Sequence, residues 1–298
     1  MPLSRSQSMP GSLVMTIDVE DWFHILDSPI APTIDQWGSL PSRVEIGMER
    51  LLQMLDECNV RATMFWLGWM AERHKGLVRR CVNAGHEIAS HGYGHLLPYK
   101  VGPAAFRDDI VRSKQVIEDI TGEPVLGFRA PGFGITGDSR WAFDLIRDAG
   151  YMYDASVFPA VRGHGGIPGE RGTPHRIATP FGELAEFPTS VLNCAGASLS
   201  LFGGGYLRAT PTPLLVWAAK SLLDSGQLLV LYIHPRELDP AHPRLPLPWD
   251  RRFKCYTNLA STEPKLRRLL RLGHSVKMSD FNIPREIARE TVDLRITV

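Results

Sequence analysis

Apolar and polar positions along this chain change period many times. LVMTIDV, residues 13–19, is a short β-branched apolar run and predicts a strand. IGMERLLQMLDEC, 46–58, repeats apolar residues at helical spacing. ATMFWLG, 62–68, predicts the next strand, and 69–84 a helix ended by Gly85. EIASH follows as a strand. A long amphipathic helix spans 103–121, between Pro103 near its start and Gly122 after its end. Further on, strands are expected at 125–131, 151–156, 183–190 and 227–234, and helices at 138–150, 213–226 and 262–272. The stretches 160–182, GGGYLR (203–208) and 235–260 read as irregular.

Repeated β-then-α units imply parallel strands with right-handed crossovers. About seven of them predict an α/β fold, a distorted (β/α) barrel whose chemistry sits at the C-terminal strand ends. A polar segment, 1–12, precedes a single barrel domain over 13–298, with a C-terminal extension from about residue 236.

Composition removes several alternatives. The 298 residues are 44% hydrophobic, enough for a sizeable core. The net charge is +1 with no basic stripe, so no nucleic-acid partner is expected. No apolar run is long enough for a transmembrane segment. The start has no secretory pattern, which predicts a cytoplasmic protein. Cys58, Cys81, Cys194 and Cys255 are widely spaced and read as buried free thiols.

Reactive residues collect at the same ends of the expected strands. Asp18, Glu20 and Asp21 close the first, and His91, with His95 beyond it, the third. Arg129 and Pro131, Asp154, and His234 close later ones. His91 and His95, four apart on a helical turn, would face one ion. A carboxylate from another strand end would complete a three-ligand set with positions open for water and substrate. Asp18 and Glu20 share a strand face. His234 is either a core residue or an acid delivered into the barrel mouth, with Asp154 able to accept from its ring. Arg129 could hold a carboxylate.

These stretches resemble a known family. TIDVEDWF, ATMFWLGWMAERH, GHEIASHGYGH, GFRAPGFGIT, YMYDASVFP, GGGYLR and LYIHPRELDP run in the order of polysaccharide deacetylases with the NodB homology domain, carbohydrate esterase family 4. With the tail FKCYTNLASTEPKLRRLL they are most similar to the subgroup of exopolysaccharide clusters linked to PEP-CTERM and exosortase systems.

The resemblance implies a divalent metal, Zn²⁺ first, with Co²⁺, Mn²⁺ or Ni²⁺ as alternatives, held by His91, His95 and a carboxylate. The family's usual TFDDGP here reads TIDVED, and Val19 cannot bind metal. The ligand therefore shifts to Glu20, or to Asp21 if the strand has already turned. Asp18 is implied as base, Arg129 as its positioner, a protonated His234 as acid and Asp154 as the group keeping it charged. Trp22, Pro131 and Tyr93 are implied in substrate binding, with Phe23 beside Trp22 in the groove wall. Phe158 stands in for a family tryptophan that is absent. The substrate class is an N-acetylated amino sugar or polysaccharide, and a homo-oligomer is left open. Hydrolysis of another C–N bond (cyclic imide, ureide or formamide) and a non-catalytic polysaccharide-binding module are the rival readings.

Overall fold

The computed structural model describes residues 11–160, 165–194 and 197–281. The polar segment expected at 1–12, residues 161–164 of the 160–182 loop, and the chain beyond 281 thus fall wholly or largely outside the described residues. In chain order the elements are β1 (Ser12–Val19), α1 (Ile34–Trp37), α2 (Val44–Glu57), β2 (Thr63–Trp66), α3 (Gly68–Arg73), α4 (Lys75–Asn83), β3 (Glu87–Ser90), α5 (Pro98–Thr121), β4 (Gly127–Phe128), α6 (Trp141–Asp148) and β5 (Tyr153–Asp154). There follow β6 (His175–Thr179), β7 (Gly182–Glu186), β8 (Leu192–Cys194), β9 (Ala197–Leu199), α7 (Gly204–Ala209), α8 (Thr212–Asp224), β10 (Leu229–Ile233), α9 (Trp249–Tyr256), α10 (Thr262–Leu270) and β11 (His274–Ser275).

The main sheet has the order β10-β1-β2-β3-β4-β5-β7-β6, with β11 also on β1. From β10 to β7 every pair is parallel, and only β6 runs antiparallel, against β7. The sheet curls into an incomplete barrel with helices outside. Past β7 the chain returns to the edge of β10: Ser190 Oγ donates to Leu228 O (3.1 Å) and accepts from Val230 N (2.8 Å), and Phe202 O accepts from Tyr232 N (3.1 Å) beside a parallel bridge between Gly203 and Tyr232. These contacts tie the segments that follow β7 to the edge of β10.

Strand alternation sorts residues between two cores. Leu13, Met15, Ile17 and Val19 of β1, with Met64 and Trp66 of β2 and Leu229, Leu231 and Ile233 of β10, join the outer core under the helices. Val14, Phe65, Ala89, Tyr153, Ala155, Phe187 and Val230 fill the interior, with Met278 packed among them. Strands buried on both faces read as continuous apolar runs, as β10 does, while β1 is interrupted only by the inward-facing Thr16 and Asp18. Each fully buried aliphatic side chain there contributes about 2 kcal/mol of transfer free energy.

Several boundaries differ from the sequence reading. The helix expected at 69–84 is two, broken at His74 (φ −118°, ψ 42°). The long helix begins earlier, at Pro98, with a kink at Gly102. GGGYLR is helical in α7, and the stretches read as irregular contain β6 and α9. Helix α2 buries Val44, Met48, Leu51 and Leu55. Its Gly47 has no room for a side chain, because a Cβ there would lie 2.2 Å from Pro235 O, in the turn after β10.

Candidate active site

The interior rows that begin in apolar side chains become polar at the C-terminal strand ends. On β1, Val14 is followed on the same face by Thr16, Asp18 and, just past the strand, Glu20. On β3, Ala89 is followed by His91. Arg129 follows β4 and His234 follows β10. Thr16, Asp18, Glu20, His91 and Arg129 are buried, and the His234 side chain is 16% exposed.

Arg129 is wholly buried. Its Nη1 donates to Asp18 Oδ1 (2.8 Å) and to Thr16 Oγ1 (2.8 Å), its Nε to Ala155 O (3.2 Å), and its guanidinium lies 4.2 Å over the Phe65 ring. Burial alone would raise the Asp18 carboxyl. Arg129, His91 and His234 outweigh it and hold the group below the usual carboxylate range. Asp18 is therefore an anion at neutral pH with one oxygen fixed.

Glu20 meets both histidines. His91 Nε2 lies 3.2 Å and His95 Nε2 2.9 Å from Glu20 Oε1. One ligand atom from each of the three residues lies within 4.8 Å of the others. Asp21 is turned away, accepting from Trp22 N, Arg43 N and Ser42 Oγ. The chemistry of this donor set fits a divalent cation. His91 Nδ1 lies 2.7 Å from Arg129 O, and a carbonyl only accepts, so Nδ1 carries a proton. In a neutral ring the Nε2 lone pair then faces a carboxylate, an arrangement that calls for a positive charge between them. A backbone carbonyl on the far ring nitrogen is the usual support of a metal-bound imidazole.

The two histidines do not sit on a helical turn. Gly92 (φ 74°) and His95 (φ 56°) adopt left-handed backbone, and the loop is held from outside. Asp109, on α5, accepts from Tyr93 N (2.8 Å) and Gly94 N (2.7 Å). A Cβ on Gly92 would come 2.6 Å from that carboxylate.

Residues 30–153 match the family model described as Polysaccharide deacetylase. Over that span the chain is similar to polysaccharide deacetylases. Residues 155–282 match a second model, Domain of unknown function (DUF3473). His91, His95 and Arg129 fall in the deacetylase match, His234 in the second, and Asp18 and Glu20 before both. A peptidoglycan deacetylase of Helicobacter pylori is 30% identical over 113 residues, 38% of this chain and 38% of that protein. The match thus spans well under half of that relative's length. Among solved structures, one assigned as a polysaccharide deacetylase from Mycobacterium smegmatis superposes with TM-score 0.60 at 21% identity, over 94% of this chain and 91% of that one. PuuE allantoinase superposes with TM-score 0.56 at 16% identity, over 93% and 90%. These likenesses show a shared fold.

Other residues of the candidate site stand differently from the sequence expectation. Asp154 does not reach His234. Its strand neighbours Tyr153 and Ala155 fill the interior, so Asp154 faces the other way. It accepts from Ser156 N and Ser156 Oγ and is hydrogen-bonded to Glu186. Burial and the Asp154 charge push Glu186 well above the carboxylate range, so Glu186 keeps the pair's proton. The acid on His234 is Glu237, 2.9 Å from Nδ1.

Tyr93 is not brought to the site either. Its hydroxyl donates to Glu72 on α3, and Arg112 of α5 stacks 3.5 Å from its ring centroid. Trp22 is buried beside the acids, its Nε1 donating to Pro41 O, while Phe23 lies inside the outer core. Pro131 lies beside the Gly92 turn. Phe158 packs with Phe133 and Tyr232.

Arg236 was not singled out from the sequence. Its Nη1 donates to Glu20 Oε2 (3.3 Å) and His24 O (3.4 Å). Asp109, Glu237 and Arg208 were missed too. The only written sign of Glu237 is its place three residues after His234, the capping-box spacing.

Proposed function

We propose that the protein is a metal-dependent hydrolase that removes N-acetyl groups from an amino sugar of a cell-surface or exopolysaccharide, or of its precursor. The observation that carries this reading is one rim holding two kinds of group side by side: an ionised, arginine-fixed Asp18, and a buried Glu20–His91–His95 triangle suited to a cation. A domain matching polysaccharide deacetylases and a peptidoglycan deacetylase relative support the substrate class.

Glu20, His91 and His95 would hold the ion, Zn²⁺ foremost. When bound it supplies Lewis acidity toward the amide oxygen and makes water a better nucleophile at neutral pH. Asp18, pinned by Arg129, takes the proton of the attacking water. The expected role for His234 needs one revision. Burial and the nearby Arg236 charge bring it down to about 4, so at neutral pH the ring is neutral. Its Nδ1 proton goes to Glu237, and its Nε2 lone pair faces the site. The proton that the departing nitrogen needs is then the one lifted from water: Nε2 receives it from Asp18 and hands it on as the C–N bond breaks. A buried proton reaching the amine before it leaves avoids expelling an amide anion.

The fold likeness to an allantoinase keeps cyclic ureides and imides in the test set. Purified protein is assayed on N-acetyl-chitooligosaccharides and on small cyclic imides, with and without chelator. Chelator-sensitive acetate release supports the proposal. Ring opening of imides without acetate release contradicts it, and loss of neither with chelator removes the metal from it.

A further inference from the structure

The geometry points to Glu237 and Arg208 as positioning residues: Arg208 anchors Glu237, and Glu237 fixes the ring of His234 with Nε2 toward the substrate. The inference rests on the hydrolase reading and assigns a role to the GGGYLR segment, which that reading leaves unused.

Glu237 is buried in the turn Pro235–Leu238 that follows β10. One of its oxygens, Oε1, accepts from His234 N (3.0 Å) and lies 2.9 Å from His234 Nδ1. A carboxylate accepts, so Nδ1 carries the proton and Nε2 is left free on the other edge, 3.8 Å from Glu20 Oε1. Backbone and ring are thus tied to the same oxygen atom, which removes ring rotation as well as the wrong tautomer. The other oxygen is ion-paired to Arg208 Nη1.

Arg208 is buried and already committed elsewhere. Its Nε donates to Thr257 O (2.8 Å), and its Nη2 to Lys254 O (2.5 Å) and Cys255 O (3.2 Å), the carbonyls at the end of α9. Lys265 Nζ donates to Leu207 O, Arg208 O and Thr210 O and so holds α7 itself in place. The guanidinium cannot follow a moving carboxylate, so Glu237 is held from behind by the whole α7–α9–α10 layer. This replaces the support expected from Asp154, which faces away.

A positioning role makes a specific kinetic difference. In amide cleavage the C–N bond breaks as the nitrogen takes a proton from His234 Nε2, and Glu237 itself gains none. In cleavage of p-nitrophenyl acetate the C–O bond breaks and the nitrophenolate leaves without a proton, so the orientation of His234 matters much less. Zinc-loaded wild type, Glu237→Gln and the double variant Arg208→Met/Glu237→Leu are assayed on both N-acetyl-chitooligosaccharide and p-nitrophenyl acetate. The readout is the ratio of amide to ester rate, which does not depend on how much of each preparation is folded. Alongside it, ring ¹⁵N–¹H correlation spectra report the His234 tautomer whether or not the protein turns over either compound.

The expected result is a fall in the ratio of about 10²-fold in both variants, with His234 changing from pure Nδ1–H to a tautomer mixture in the double variant. An unchanged ratio, or a pure Nδ1–H ring in the double variant, overturns the inference. A wild type that cleaves neither compound contradicts the hydrolase reading instead, and the tautomer measurement alone then decides the role of Glu237.

Discussion

At the scale of single residues, the site is a set of charges whose states are decided by what they touch. Asp18 is ionised because Arg129 is as buried as it is. Asp18→Asn should lower acetate release by at least about 10³-fold while bound metal stays at the wild-type level. His91→Ala should lose metal and activity together; metal content and acetate release, measured on the same samples, check both. Much of this could be read from alternation alone. Asp18 and Glu20 lie two apart on an inward face, and His91 follows Ala89 on another. The same rule, applied to YMYDAS, puts Asp154 opposite its two inward neighbours, although its place at a strand end, and then the family likeness, made it the expected partner for His234. Asp109 and Glu237 were not legible. A carboxylate in the middle of a long amphipathic helix, or in a Pro-rich turn, looks like any solvated acid until the fold brings backbone N–H groups or an imidazole to it.

Between residue and fold, two elements hold the rim in register. The HGYGH loop turns on left-handed backbone at Gly92 and His95, and Asp109 of α5 accepts two of its N–H groups. Asp109→Ala should therefore weaken metal binding about 10–100-fold with little change in helix content, as isothermal titration with Zn²⁺ and circular dichroism would show. Helix α2 braces the turn of His234 through Gly47. Gly47→Ala should cost about 1–3 kcal/mol in thermal or denaturant unfolding, since a Cβ there meets backbone that must move. Long apolar strands and helices with a proline start and a glycine stop were visible in the pattern. The two-residue strands β4 and β5 were placed only as longer runs, because their neighbours continue the chain direction without pairing. Helix α7 was hidden by its two glycines and the Gly203 before them, which read as loop until packing of α7 on α9 supplies the stability that propensity lacks.

For the molecule as a whole, the barrel is built to keep ionisable groups dry, and that makes its stability depend on pH. His86 is an example away from the rim. Burial, with Arg61 adding to it, brings the ring down to about 4, and its Nδ1 accepts from Ala62 N (3.1 Å). The unfolded chain protonates this ring at its ordinary value of 6.5, and the folded chain resists until about 4. Stability is thus complete above pH 6.5 and declines as pH falls through that window. Asp18 and Glu20, both held below the usual range against the opposing effect of burial, add a further loss at lower pH. The melting temperature of metal-free protein should be flat from pH 7 to 8 and fall from pH 6.5 to 4. His86→Asn, which retains an acceptor for Ala62 N but cannot be charged, should flatten part of that slope. The sequence also indicated a parallel α/β barrel without showing what meets the edge of β10, since one serine and the backbone of Phe202 and Gly203 have no signature. Among the described residues no helix is long and apolar enough to cross a membrane. The account stands or falls on the cation at the rim. Its most direct measurement is the metal content of protein equilibrated with Zn²⁺ and dialysed, wild type beside Glu20→Ala. A single tightly held equivalent in the wild type, lost in the variant, is the predicted result. Metal retained by Glu20→Ala, or none held by the wild type, would contradict it.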